Sequence, residues 1–132
     1  MISDFLIPAL QSEFAGWEVT FGTPPYPIAT FPSCQPDVGK LLVYDDGDEA
    51  RVLIEKVTHG HFNAFNEKLD PQQRDRIIAE DVLNFLKALL NDRILLHTYA
   101  NQQVGGWTRL KDGPVEFSQA CRLFLWSRPY EA

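Results

Sequence analysis

Apolar and polar positions along this chain change period several times, and each change marks the edge of an element. Phe5, Leu6, Ala9, Leu10 and Phe14 recur at helical spacing, and Gly16 follows where a helix would stop. This predicts a short helix within 3–15. Its regular part is expected to begin near Ile7 or Pro8, because a proline ring fits the first turn of a helix better than its interior. Trp17-Glu-Val-Thr-Phe21 switches to strict alternation, which predicts a half-buried strand with Trp17, Val19 and Phe21 on one face. Residues 22–37 then hold five of the nine prolines. Proline cannot donate to a strand ladder, so an ordered irregular loop is expected, pinned to the body by Tyr26, Ile28 and Phe31.

Leu41-Leu-Val43 and Val52-Leu-Ile54 are short continuous apolar runs on either side of Asp45-Asp-Gly-Asp-Glu49. They predict a hairpin of central strands covered on part of both faces. Asp46-Gly47 suits a tight turn, and a longer loop from Asp45 to Glu49 is the alternative. The second arm is expected to run on into His59-Gly60-His61. Asp70-Pro71 is a helix start, with Asp70 as N-cap and Pro71 as first helical residue. Ile78, Val82, Phe85, Leu86 and Leu89 form one apolar stripe behind it, so a long helix is expected over about 71–91. Strands are expected at Ile94–Tyr99, at Trp107–Leu110 and roughly over Glu116–Ser127, with turns at 101–106 and 111–114.

The resulting order is α-β-β-β-α-β-β-β. Short connections make neighbouring strands antiparallel, so the predicted fold class is α+β: an antiparallel sheet of about five to six strands, the long helix on one face and a short N-terminal helix. With 132 residues and no linker-like composition change, one domain over 1–132 is expected.

Charge adds a direction to this picture. The net charge is −6, and residues 1–70 carry 11 acids against 4 bases, whereas 71–132 carry 7 against 8. The acidity peaks at Asp45, Asp46, Asp48 and Glu49. Binding to nucleic acid or to an anionic membrane surface needs clustered bases, so neither is expected. The N-terminus has no basic leader followed by an apolar run, and no segment reads as a membrane span, which makes the cytoplasm the expected compartment. Cys34 and Cys121 are then expected as free thiols.

The candidate chemistry is sparse. His59 and His61, at i and i+2 on a strand, would face one way. With His97, and with Glu55 on the same face, they form a candidate metal set; with Cys34 they form a candidate base–nucleophile set. No zinc, calcium, phosphate-loop or hydrolase signature accompanies them, so no cofactor is expected, with a divalent metal as the lesser alternative. Trp107 and Arg109 have the composition of an interface anchor, and Trp107, Phe124 and Trp126 form an aromatic group that core packing also explains. These features point to a small acidic cytosolic protein that binds a protein partner, with Asp45, Asp46, Asp48, Glu49, Trp107 and Arg109 as contact residues. An inhibitor, immunity or adaptor protein facing a basic partner has this physical profile. The rivals are a metal-dependent or general-base enzyme centred on the histidines and a small-ligand binder with its site between the long helix and the sheet. A homo-oligomer is compatible with all three.

Overall fold

The computed structural model describes residues 1–64, 68–99, 105–110 and 121–131. The architecture is α+β. Helix α1 (Ile2–Glu13) is followed by strands β1 (Thr20–Phe21), β2 (Ala29–Phe31), β3 (Leu41–Asp45), β4 (Ala50–Ile54) and β5 (Thr58–Phe62). Then come α2 (Pro71–Leu90), β6 (Ile94–Tyr99), β7 (Gly106–Arg109) and β8 (Cys121–Phe124). Strands β1 to β5 form an antiparallel meander in sequence order, and a separate sheet has the order β7-β6-β8. The described strands therefore divide between two sheets rather than extending one.

Helix α1 buries Ile2, Leu6, Leu10 and Phe14, spaced four apart and each at most 4% exposed. Full burial of such a side chain stabilises by roughly 1.5–3 kcal/mol. The helix runs through Pro8 instead of starting at it. Pro8 lies on the exposed side, where the Asp4 carbonyl that loses its bond can turn to water. Helix α2 begins as its sequence indicates: the Asp70 carboxylate accepts the Gln73 N–H at 2.8 Å, and Gln73 Oε1 accepts the Asp70 N–H at 3.2 Å. Its stripe Ile78, Val82, Phe85, Leu86 and Leu89 is 0–3% exposed and belongs to the core.

Three local expectations change. Inside the proline-rich segment, β2 pairs with both β1 and β3, because prolines flank but do not occupy Ala29–Phe31. Ile28 and Phe31 pin this segment at 0% and 1% exposure, whereas Tyr26 is 72% exposed. The alternating run at 17–21 is strand only at its last two residues, and Trp17 packs edge-on against Phe14 from the surface. The arm after the acidic tip also does not run straight into the histidines. A turn at Glu55–Val57, closed by Val57 N–H donating to the Ile54 carbonyl at 2.9 Å, sends the chain back as β5.

The β3–β4 register is Leu41 with Ile54 through Asp45 with Ala50. The connection is the longer alternative, a loop of residues 46–49 closed by Asp46 N–H to the Glu49 carbonyl at 2.9 Å, with Gly47 at φ 96°. One face of the meander, with Ala29, Phe31, Leu41, Val43, Ala50, Val52 and Ile54, joins both helices in the core. On the opposite face the alternating residues Leu42, Tyr44, Arg51 and Leu53 are only half-buried.

Residues 101–104 of the turn expected at 101–106, the turn expected at 111–114 and the part of the last strand before Cys121 lie outside the described residues, and Gly106 already opens β7. The C-terminal stretch is tied back to the body. Gln35 Nε2 donates to the carbonyls of Leu125 and Trp126, and Arg122 meets Asp37 at 2.8 Å. Phe124 and Trp126 are core at 2% exposure, which separates them from Trp107 at 37%.

Candidate functional site

The acidic hairpin and the histidine pair occupy one region of the five-stranded sheet. Tyr44 pairs with Arg51 and Arg51 with His61; one row away Leu42 pairs with Leu53 and Leu53 with His59. Cross-strand partners share a face, so both imidazoles stand on the helix-free side, as their i, i+2 spacing predicts. Both are exposed, and their rings meet edge to face at 5.2 Å. His61 Nδ1 lies 2.9 Å from a carboxylate oxygen of Glu49, which joins the two patches directly.

The four acids of the tip do different work. Asp46 and Asp48 are exposed, and Glu49 is half-buried beside His61. Asp46 also receives Arg51 at 3.1 Å, and that bond raises the guanidinium pKa further above its ordinary range. The Arg51 guanidinium lies 4.2 Å from the centre of the Tyr44 ring, stacking along the sheet. Asp45 is 6% exposed. Its Oδ2 accepts the Ser3 N–H and its Oδ1 the Gly47 N–H, each at 2.9 Å. Asp45 thus holds the tip from below, and its charge faces the start of α1.

The other candidates are dispersed. Glu55 sits in the β4–β5 turn, where its Oε1 accepts the Lys40 N–H at 3.2 Å. Cys34 is exposed in an open depression of about 420 Å³ that also includes Lys40, Glu55 and Lys56. His59 borders a separate depression of about 410 Å³ on the same turn. His97 belongs to the smaller sheet, with its ring 5.3 Å from Tyr99 and against the backbone of Gly106, where an added Cβ would stand 2.6 Å from the ring. Among the described residues, no three His, Cys, Asp or Glu side chains group closely enough to hold a metal ion. Trp107 packs on Phe85 of α2 at 4.7 Å, in series with Phe62 of β5, whereas Arg109 lies further along β7 beside the end of α2. No protein-family model matches the chain, and no curated protein or solved structure matches it significantly.

Burial lowers the His97 pKa below its ordinary 6.5. Above that pH the ring is neutral in both folded and unfolded chains and contributes nothing to pH dependence. Below it the unfolded chain binds the proton first, so stability falls as the pH drops from 6.5 to the folded pKa. The expected result is an NMR titration midpoint for His97 under 6.5, together with a shallower acid limb of the stability curve in His97→Gln. A midpoint at or above 6.5 contradicts this account.

Sequence reasoning missed two arrangements. One is the pair Gly105-Gly106, which reads as a turn but supplies room: the Gly105 N–H donates to the Val57 carbonyl at 2.8 Å, joining the smaller sheet to the β4–β5 turn. The signal available was the doubled glycine ahead of a strand, which marks close backbone approach. The other is the grouping of Lys87 and Arg93 with Arg109, which line one depression where α2 ends beside β7.

Proposed function

We propose that this protein is a non-enzymatic, cytoplasmic binding protein that engages a basic protein partner through the β3–β4 tip, in the manner of an inhibitor, immunity protein or adaptor. The observation that carries this reading is the arrangement of the tip. Asp46 and Asp48 are exposed and Glu49 half-exposed on a short loop whose base is held by Asp45, and Arg51 and His61 fix the Asp46 and Glu49 carboxylates before any partner arrives. A preorganised charged loop steers encounter and loses little conformational entropy on binding. No described helix is long and apolar enough to cross a membrane.

Changing Asp46, Asp48 and Glu49 together to lysine should slow association by about 10–100-fold at low salt and flatten its salt dependence. The first measurement is affinity capture from host lysate at low and high salt, with wild type beside the triple-lysine variant. Association rates with the recovered protein then follow. A partner recovered equally by both baits at both salt concentrations would rule out the tip as the contact.

One observation favours a second reading, in which His61 is a general base. A carboxylate at 2.9 Å from one ring nitrogen orients the imidazole, as in base–orienter pairs. Hydrolytic or metal-dependent activity lost in His61→Gln, or a stoichiometric metal in untagged protein that is lost in the His59→Ala/His61→Ala variant, would move the proposal to that chemistry.

A further inference from the structure

We propose that the depression between the C-terminal end of α2 and β7 binds the phosphoryl group of a small molecule. The site is separate from the acidic tip and does not depend on the reading given to it. One face of α2 contributes Asn84, Lys87 and Asn91, spaced three and four residues apart so that they lie in one row. The residue before β6, Arg93, and the last residue of β7, Arg109, complete the lining. The Leu110 N–H donates to the Arg93 carbonyl at 2.9 Å, and Arg109 pairs with Ile94, which keeps the two arginines on adjoining backbone positions. Together they line an open depression of about 530 Å³, large enough for a phosphoryl group and part of its carrier.

Three cations and two carboxamides line this depression, and no acid is among its described lining residues. This is unusual company in a chain of net charge −6. Two arginines favour a phosphoryl group over a carboxylate. Each guanidinium presents a planar fork of N–H donors, and a dianion with three terminal oxygens can accept from both forks while a carboxylate saturates on one. Among the described residues neither Arg93 nor Arg109 is in an ion pair, so both forks are available. Lys87 is held only loosely, 3.9 Å from Glu13.

Besides the Glu13 carboxylate 3.9 Å from Lys87, two features oppose an anion, and both are blunted. The end of α2 carries the negative pole of the helix. Its last carbonyls are occupied, however, by the N–H groups of Asn91, Asp92 and Arg93 and by the Asn91 side chain, which donates to the Lys87 carbonyl at 2.7 Å. The nearby Asp92 carboxylate accepts the N–H and hydroxyl of Ser127, which directs it to the C-terminal segment.

The test is a titration of the isotopically labelled full chain with inorganic phosphate at constant ionic strength, read by NMR, with chloride and acetate as controls. Saturable shifts at Asn84, Asn91, Arg93 and Arg109 are expected with phosphate alone. Arg93→Gln/Arg109→Gln should weaken binding at least about tenfold while leaving the rest of the spectrum unchanged, since both side chains are exposed. Arg93→Lys/Arg109→Lys keeps the charge and loses the forks, and should also bind more weakly than wild type. Linear, unsaturated shifts, equal binding by the glutamine variant, or equal response to acetate would overturn the proposal.

Discussion

Gly105→Ala is expected to destabilise the protein by about 3 kcal/mol or more, lowering the melting temperature by roughly 10 °C or preventing folding. A methyl group at this position would overlap the His97 carbonyl oxygen and stand 2.8 Å from the Val57 carbonyl oxygen. Both obstacles are backbone, in β6 and in the β4–β5 turn, so neither can yield by rotating a side chain. Moving either one would also break the bond from the Gly105 N–H to Val57, which ties the two sheets together. Gly60→Ala is the control. There the added Cβ would meet Phe62 and Trp107 at 3.6 and 3.8 Å, ordinary contact distances, and a change within about 1 kcal/mol is expected. Gly106→Ala lies between, because its obstacle is the His97 ring, which can swing aside. Thermal and urea melts of the three variants test the order. A Gly105→Ala protein as stable as Gly60→Ala would show that the sheets are not locked at this point.

Asp45→Ala should lower stability by about 2–3 kcal/mol, and Asp46→Ala by less than about 0.5 kcal/mol. Helix α1 has Met1 at its N-cap position, a residue that cannot cap, and the vacant role is filled from across the chain by the Asp45 carboxylate on the Ser3 N–H. The two buried acids among the described residues, Asp45 and Asp75, both serve this end of α1. Asp75 lies 3.4 Å from the Met1 ammonium and 3.4 Å from Arg74. A carboxylate at the positive pole of a helix is favourable by charge as well as by hydrogen bonding. Removing Asp45 leaves a part-buried donor without its acceptor and releases the base of the hairpin loop at Gly47. Asp45→Asn, which keeps the shape but not the charge, should recover part of the loss. Equal melts for the alanine variants at 45 and 46 would mean that Asp45 belongs with the surface acids after all. The pair also guards the binding experiment: a partner lost with the Asp46, Asp48 and Glu49 substitutions while fold stability is unchanged reflects the tip itself.

Local sequence determined the elements whose signals are complete within a few residues. The Asp70-Pro71 cap and the stripe from Ile78 to Leu89 specify α2, and the apolar runs around Asp46-Gly47 specify the β3–β4 pair, because capping, periodicity and turn chemistry all act over one or two turns. The i, i+2 spacing likewise specified that His59 and His61 share a face. Tertiary structure decided what a residue of a given type is for. Asp45 and Asp46 are adjacent and chemically identical, yet alternation on β3 turns one inward to cap a helix 42 residues away and leaves the other outside. The turn at Glu55–Val57 and the split into two sheets depend on which strand edges meet, a matter of long-range pairing that no local period encodes. For the same reason Trp126 and Phe124 proved to be core while Trp107 stayed at the surface, and Lys87, Arg93 and Arg109 became neighbours. Charge and periodicity are properties of the chain, whereas burial and convergence exist only once the chain has folded.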